Sequence, residues 1–168
     1  MFIDGANILY FHPGNHKKDK IIDFETFNFL KIIYEQLIDE GYNPLIILHS
    51  RHKFNNKSND KIQNLLDNLP IYYTPNNIND DLFLLYSVLF VRGSYLVTND
   101  RLRDHINKFE KEEKKLIEKW IEEYVIRYDI MDNCFNLTKP SNYTLEVQKY
   151  DDTWYLPINT ESWLSIKL

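Results

Sequence analysis

The chain has 168 residues, a length that suits one domain with a sizeable core, and 43% of them are hydrophobic. The net charge of −5 argues against a general polyanion-binding protein, because affinity for phosphates comes from Lys and Arg. The single cysteine, Cys134, excludes an intramolecular disulfide and a CxxC metal knuckle, and we expect it to be a small packed side chain.

The first half of the chain alternates short apolar runs with amphipathic segments. Residues 1–3 are predicted as the first strand. Asp23 is predicted to cap a helix whose apolar residues recur at 3.6-residue spacing and which ends at Gly41. The next elements are predicted to be a buried parallel strand, a helix and a third strand, at residues 44–48, 59–69 and 71–73.

A second helix–strand unit follows. Asp80 and Asp81 are predicted to open a helix that stops at Gly93. Its apolar face is predicted to consist of Leu82, Leu85, Tyr86 and Leu89. The fourth strand, at residues 95–97, leads directly into Thr98-Asn99-Asp100.

The C-terminal part is predicted to contain a charged helix and then mainly strands. The helix covers residues 110–123, and its charge run is interpreted as a solvated face. Strands are predicted at 124–128, 143–149 and 153–156, and the last two form an antiparallel hairpin.

This alternation predicts an α/β fold of right-handed βαβ units around a mainly parallel sheet. We expect residues 1–168 to form a single domain, in which 124–168 are a small C-terminal β-rich extension. The N-terminus does not resemble a signal peptide, and no apolar stretch approaches the roughly 18–20 residues of a membrane span. We therefore expect an intracellular protein without a membrane partner, in a compartment that the sequence does not specify.

The most informative feature is a set of acidic residues at predicted strand ends and helix starts: Asp4, Asp80, Asp81 and Asp100. In an open α/β sheet these places converge on one rim, outside the carboxyl ends of the strands. Carboxylates gathered there repel one another, and their hard oxygens select Mg²⁺ or Mn²⁺. Such a cluster is what two-metal phosphoryl chemistry requires, so we interpret the chain as a metal-dependent nuclease.

Each acid also has an ordinary structural explanation. Asp4 with Gly5 could form a turn, Asp80 and Asp81 could be acids favoured at a helix N-terminus, and Asp100 could be an N-cap. The coincidence of all of them on one predicted rim favours the functional interpretation.

Positive charges are grouped near the same rim. Three groups stand in or beside loops predicted to face the acids: Lys17, Lys18 and Lys20; Arg51, His52, Lys53 and Lys57; Arg101 and Arg103. Solvated surface charge is the alternative explanation for each group. As RNA-binding residues we select Arg51, Lys53, Arg101 and Arg103.

At these residues the sequence resembles the metallonuclease domain of protein-only RNase P, a PIN-like (NYN) nuclease that removes 5′ leaders from precursor tRNA. The segments that carry the resemblance are Ile3-Asp4-Gly5-Ala6-Asn7, Leu48-His49-Ser50-Arg51, Tyr73-Thr74-Pro75 with Asn79-Asp80-Asp81, and Leu96-Val97-Thr98-Asn99-Asp100 with Arg103-Asp104-His105. The resemblance implies a three-layer PIN-like fold with a small C-terminal β element.

The resemblance also implies roles for individual residues and a cofactor. The implied catalytic residues are Asp4, Asp80, Asp81, Asp100 and His105, and the implied metal ligands are the same four acids with Asp104. The resemblance further implies two Mg²⁺ or Mn²⁺ ions per site. It also implies precursor tRNA as the substrate.

Two departures from the family pattern affect binding more than chemistry. Family members carry N-terminal RNA-binding repeats, whereas this sequence begins with the nuclease. A homo-oligomer or a separate RNA-binding partner is therefore expected. Tyr155 and Ser165 stand where the family has zinc ligands, so no structural zinc is expected. Trp154, Tyr155 and Trp163 are instead predicted to join the C-terminal hairpin to the body by apolar burial.

Two alternative functions stay open. One is a PIN-like endoribonuclease that acts on single-stranded or messenger RNA, and the other is a non-catalytic RNA-binding or assembly module. The complete set of acids argues against the second.

Overall fold

The computed structural model describes residues 1–11, 24–52, 60–132, 134–140, 147–158 and 162–167. These residues form a six-stranded sheet of order β3-β2-β1-β4-β5-β6 and a three-stranded sheet of order β7-β8-β9. The strands of the larger sheet are Phe2–Asp4, Leu45–His49, Ile71–Thr74, Leu96–Val97, Val125–Met131 and Cys134–Thr138, numbered β1 to β6. Neighbouring strands are parallel except β5 and β6, so the predicted α/β class with a mainly parallel sheet is confirmed.

Helices cover both faces of this sheet. One layer contains α1, α2 and α3, which are Gly5–Tyr10, Phe24–Asp39 and Asp60–Asp67. The other contains α4, α5 and α6, which are Asp80–Phe90, Arg103–Ile106 and Lys111–Tyr124. Because a strand points alternate side chains to opposite faces, Ile46 and Leu48 of β2 join the first layer while Ile47 joins the second. The three-layer arrangement expected from the resemblance is the one observed.

Several short elements were not predicted from the sequence, among them α1, β6 and β9. Helix α1 follows β1 without an intervening loop, β6 pairs with β5, and β9, at Trp163–Lys167, pairs with β8. The predicted capping by Asp23 and the predicted helix start at residue 59 lie outside the described residues. Of the strand predicted at 143–149, residues 143–146 lie outside the described residues and the described strand covers Gln148–Tyr150. The other predicted elements are present, with small shifts of their ends.

The buried face of α4 differs from the prediction. Leu84, Leu85 and Val88 are buried, whereas Tyr86 and Leu89 are exposed. The helix is apolar all round after its first two residues, so periodicity could not identify which side faces the sheet.

The C-terminal hairpin is confirmed in the described residues, where β7 at Gln148–Tyr150 pairs antiparallel with β8 at Thr153–Pro157. Trp154, Tyr155 and Trp163 are half-buried, but none of them belongs to or packs against either buried cluster of the main body. The predicted role of these three side chains in joining the hairpin to the body by apolar burial therefore stays a prediction.

Cys134 is exposed, so its predicted packing in the core is also wrong. It begins β6, an edge strand, and its neighbour Phe135 is the residue that points into the core. Among the described helices, none has the length and apolarity to cross a membrane.

Candidate functional site

The acidic residues lie near the point in the sheet where the order of the strands reverses, between β1 and β4. From β1 the chain builds β2 and β3 on one side and then returns to place β4 on the other side of β1. The register pairs Ile3 with Val97, so Asp4 and Thr98 follow next to each other at the carboxyl ends of the two strands. A crevice of this kind is the usual binding place in open α/β sheets.

Asp4 is a buried carboxylate held by two hydrogen bonds. Its Oδ1 accepts from the backbone N–H of Asn7 over 2.9 Å and so caps α1, while its Oδ2 accepts from the Thr98 hydroxyl over 2.8 Å. Burial raises the pKa of Asp4 to about 6, against the lowering effect of these hydrogen bonds. The negative charges of Asp81 and Asp80 add to the rise. Asp4 therefore caps a helix and also lies within the field of two other acids.

Asp80 and Asp81 are not needed to cap α4. The side chain of Asn79 does this by accepting from the N–H of Leu82 over 2.9 Å. Asp80 is buried, and its Oδ2 lies 3.7 Å from Nη2 of Arg51. The N-cap is therefore Asn79, and both carboxylates stand in the first turn of the helix, where the helix dipole also favours acids.

Asp81 meets the one histidine that the sequence placed near the acids. Nε2 of His105, in α5, lies 3.1 Å from Oδ2 of Asp81. Burial is the main cause of the raised pKa of Asp81, opposed by the hydrogen bond with His105 and reinforced by the charges of Asp80 and Asp100. Nδ1 of His105 is buried and has no hydrogen-bond partner among the described residues. Since a carboxylate accepts, Nε2 of His105 is the donor in this hydrogen bond.

Asp100 lies in an irregular segment between β4 and α5. The Thr98 hydroxyl accepts from the N–H of Asp100 over 3.1 Å, and Oδ1 of Asp100 accepts from the N–H of Leu102 over 3.0 Å. Leu102 has φ 53°, in the left-handed region that is costly for a branched side chain, and it is buried in the second helix layer. Packing of Leu102 thus holds the segment in a conformation that it would not favour alone.

Strand β5 holds residues 98–100 in place by hydrogen bonds. Nη1 of Arg127 donates to the carbonyls of Thr98 and Asp100 over 2.9 and 2.6 Å. The side chain of Asn99 forms two hydrogen bonds with the backbone of Tyr128, of 2.7 and 3.1 Å. These contacts fix the backbone on both sides of Asp100.

Asn7 connects α1 to the same network. Its Oδ1 accepts from the N–H of Asn99 over 2.9 Å and from the hydroxyl of Tyr128 over 2.6 Å. No role was predicted from the sequence for Asn7, Arg127 or Tyr128. Asn7 belongs to the sequence motif that contains Asp4, and this motif could have identified it. No sequence motif surrounds Arg127 or Tyr128 of β5.

A polar cavity of about 390 Å³ opens beside the acids. It is lined by Asp81, Asn99, Asp100, Arg101, Leu102, Arg103, Asp104 and His105. The predicted residues Arg101, Arg103 and Asp104 are therefore at the site with Asp81 and Asp100. Arg51 is near the site because its guanidinium lies beside Asp80. Lys53 lies outside the described residues, as do the lysines at 17, 18, 20 and 57.

A larger cavity of about 570 Å³ lies between α2 and α3, and none of the predicted site residues lines it. Its lining includes the Lys31–Glu35 ion pair. No acid cluster or buried unpaired group among the described residues points into it, so the polar cavity is the better candidate.

The donor atoms at the rim suit a hard divalent cation, but the side chains are not arranged around one. Within the described ranges, no three Asp, Glu, His or Cys side chains converge on a point that would hold a metal ion. Asp4 accepts a hydrogen bond from Thr98. Asp80 lies beside the guanidinium of Arg51, and Asp81 is hydrogen-bonded to His105. Each acid has a partner inside the protein, and side-chain rotation is needed for several of them to share an ion.

Comparison with known families and proteins identifies one family. A family model described as protein-only RNase P matches residues 1–166. Proteinaceous RNase P 2 of Arabidopsis thaliana is 30% identical over 168 residues, covering 95% of this chain and 30% of that protein. Proteinaceous RNase P 3 of the same plant is 30% identical over 183 residues, covering 98% of this chain and 30% of that protein. The chain thus spans about a third of the length of the relatives it matches.

Solved structures agree with the sequence comparison. The structure of Arabidopsis thaliana nuclear protein-only RNase P 2 matches with a TM-score of 0.72 at 29% identity, over 99% of this chain and 36% of that one. A crystal structure of nuclear proteinaceous RNase P 2 from the same plant matches with a TM-score of 0.69 at 28% identity, over 94% and 33% of the two chains.

Proposed function

Because the chain belongs to the protein-only RNase P family, we propose that it is a metal-dependent endoribonuclease that removes the 5′ leader of precursor tRNA. The observation that supports this proposal is that Asp4, Asp80, Asp81 and Asp100 lie around the crevice between β1 and β4, each within electrostatic range of at least one other of these acids. The charges of Asp80 and Asp81 act on Asp4, and those of Asp80 and Asp100 act on Asp81. Carboxylates in such mutual repulsion are an unfavourable arrangement unless cations bind there.

The donor set fits Mg²⁺ or Mn²⁺, which prefer carboxylate oxygens and water. Asp4, Asp80, Asp81 and Asp100 would hold the ions, with Asp104 as a further ligand at the mouth of the cavity. Two bound ions would activate water and neutralise charge on the phosphodiester, as in other two-metal nucleases. The expected products are a 5′-phosphate on the mature tRNA and a 3′-hydroxyl on the leader.

The chain's own residues prepare this site. The Thr98 hydroxyl and the Asn7 N–H hold the two oxygens of Asp4 in place. His105 donates from Nε2 to Asp81 and so orients that carboxylate. The guanidinium groups of Arg51, Arg101 and Arg103 would bind phosphates on either side of the cut, with Lys53 contributing from outside the described residues.

An endoribonuclease that acts on single-stranded or messenger RNA is the second candidate, because it would use the same acids. The two are separated by substrate: a 5′-end-labelled precursor tRNA and an unstructured RNA of equal length, each incubated with and without Mg²⁺. The proposal predicts one metal-dependent cut at the junction of leader and tRNA, with a 5′-phosphate on the larger product. Faster cutting of the unstructured RNA at many positions would support the second candidate.

We also propose that the protein self-associates to hold its substrate. The described basic residues at the site are few, and a handful of phosphate contacts gives weak, salt-sensitive binding. The charged face of α6 is largely paired within the helix, through Lys114–Glu118, Lys115–Glu112 and Lys119–Glu123. This pairing favours the C-terminal sheet over α6 as the contact. Joining two weak sites raises affinity through effective concentration.

Light scattering across a concentration series, measured beside the cleavage rate, tests self-association. The rate per chain should rise as the oligomer forms. A monomer at all concentrations with tight tRNA binding and no added partner would exclude it, and a requirement for an added RNA-binding protein would favour the alternative of a separate partner.

A further inference from the structure

Two buried histidines flank Arg51 in the turn that follows β2. Residues Ser50–His52 form a single helical turn directly after the strand. His49 and His52 are buried, whereas the side chain of Arg51 is 61% exposed. A buried polar ring normally has a hydrogen-bond partner, and here Arg51 is a partner of both rings.

The two histidines hold Arg51 by its backbone and by its side chain. Nδ1 of His49 accepts from the backbone N–H of Arg51 over 3.0 Å, and Nε2 of His52 accepts from Nε of Arg51 over 3.1 Å. Because a guanidinium can only donate, Nε2 of His52 carries a lone pair and the ring is neutral. Burial lowers the pKa of His52, and the positive charge of Arg51 lowers it further, against the opposite effect of Asp80. The neutral form that this hydrogen bond requires is therefore favoured.

His52 is itself held by packing. Its ring stands edge-on to the ring of Tyr10, with centroids 5.5 Å apart and planes 68° apart. Tyr10 is the last residue of α1, the helix that Asp4 caps. An exposed arginine samples many rotamers, and a hydrogen bond to a buried, packed ring restricts them. The guanidinium of Arg51 is therefore oriented relative to the acids before any substrate binds.

The outer end of the guanidinium stays available for a ligand. Nη2 of Arg51 lies 3.7 Å from Oδ2 of Asp80, which is an ion-pair distance but too long for a hydrogen bond. Within the described part of the chain, Arg51 donates hydrogen bonds from its backbone N–H and from Nε, and none from Nη1 or Nη2. These two nitrogens can donate side by side to two oxygens of one phosphate.

We propose that His52 is a positioning residue, which holds Arg51 in the orientation that binds a backbone phosphate of the RNA beside Asp80. The proposal rests on the proposed function and deepens it, because it says how a chain with few basic residues at its site gains affinity from one of them. A side chain that is held in advance loses less freedom when it binds. Contact with phosphate carries no base sequence, so every substrate RNA can use it.

A double-mutant cycle on RNA binding tests this role. A fluorescent precursor tRNA is titrated in EDTA, so that no metal-dependent cleavage takes place. Arg51→Ala should weaken binding by about tenfold. His52→Phe keeps a ring against Tyr10 but has no acceptor, and it should weaken binding by about fivefold. In the Arg51→Ala background the same histidine change should have almost no effect, because no guanidinium is left to position.

Two further variants serve as rescue and control. His52→Gln supplies an amide oxygen that can accept from Nε of Arg51, so it should recover part of the affinity. Arg92→Ala removes an exposed arginine just beyond the end of α4 opposite to Asp80, and should leave binding unchanged. An equal loss for His52→Phe in both backgrounds would mean that the histidine acts through the fold and not through Arg51. A loss for Arg92→Ala as large as that for Arg51→Ala would mean that only net charge matters. Either result would overturn the proposal.

Arg51→Lys tests the same role without changing a buried position. The lysine keeps the positive charge but lacks the Nε–H that His52 holds and the paired donors beyond it. It should weaken binding nearly as much as His52→Phe. Wild-type affinity for Arg51→Lys would overturn the proposal even where His52→Phe fails to fold. If the wild type binds precursor tRNA and does not cleave it with Mg²⁺, the proposed function fails, while the binding cycle still decides about His52.

Discussion

The hydroxyl of Thr98 donates a hydrogen bond to Oδ2 of Asp4 over 2.8 Å, between residues 94 positions apart in the sequence. The bond joins the ends of β1 and β4 at the point where the order of strands reverses. The same hydroxyl accepts from the N–H of Asp100, so one side chain sets the positions of two acids. The arrangement of the site therefore depends on contacts between strand ends as much as on the acids themselves.

The buried carboxyl of Asp4 predicts a pH dependence of stability. Its pKa is about 6 in the folded chain against 3.8 for the ordinary group. The folded state thus binds more protons than the unfolded state between these values. The free energy of unfolding of the metal-free protein should then fall as pH rises from about 4 to about 7, by on the order of 2–3 kcal/mol from this group.

Urea unfolding in EDTA across this pH range measures the effect. Asp4→Asn should reduce the slope, while a smaller slope of the same sign should remain from Asp81, whose pKa is also raised. Identical pH profiles for the wild type and Asp4→Asn would contradict the assignment.

Gly5 is predicted to be required for the close approach of α1 to β2. A Cβ there would lie 2.8 Å from Cγ and Cδ2 of Leu48 and 2.9 Å from Cγ2 of Ile46. Gly5→Ala should destabilise the protein by about 1–3 kcal/mol in denaturant unfolding. In a Leu48→Ala background the same change should cost less, because the two Leu48 atoms are gone and only the contact with Ile46 remains. Equal costs in both backgrounds would show that overlap is not the cause.

Arg127 is predicted to hold the segment that carries Asp100. Arg127→Met removes the hydrogen bonds to the carbonyls of Thr98 and Asp100 and should lower the unfolding free energy by about 1.5–3 kcal/mol. The cleavage rate should fall more than substrate affinity, since the change displaces Asp100. Arg127→Lys keeps the charge and should recover part of the rate. A methionine variant with wild-type rate and stability would mean that β5 does not position Asp100.

No stoichiometric zinc is predicted in the purified protein. Tyr155 and Ser165 lie directly opposite each other in the β8–β9 ladder, at the positions where the resemblance places zinc ligands. A tyrosine and a serine do not supply the thiolate and imidazole ligands of a structural zinc site. Elemental analysis checks this, and one zinc per chain after dialysis against a mild chelator would refute it.

Much of the fold could be predicted because the sheet is buried on both faces and its strands are short, continuous apolar runs. Helix α1 could not, since six residues beginning with glycine are too few to show a period. The buried side of α4 was misassigned because the exposed side chains of Tyr86, Leu89 and Phe90 make its outer side apolar as well. β6 alternates exposed and buried residues over only five positions, which is a weak signal for an edge strand.

The acids of the site could be predicted because strand ends in a parallel sheet share a rim. The residues that hold them could not, because their contacts are long-range. Tyr128 and Asn7 are 121 residues apart in the sequence, and neither stands out locally. The sequence alone also could not decide which residue caps α4, and the hydrogen bond from the Leu82 N–H to the Asn79 side chain identifies the cap as Asn79.

The central claim is that the acids at the β1–β4 crevice carry out metal-dependent cleavage of precursor tRNA. The most direct test is the single-turnover cleavage rate at saturating Mg²⁺ for the wild type, Asp81→Ala and Asp100→Ala. Each variant should be slower by orders of magnitude and should unfold at a denaturant concentration no lower than the wild type, because removing a carboxylate relieves repulsion. If either folded variant cleaves at the wild-type rate, the assignment of these acids as the metal-binding site is wrong.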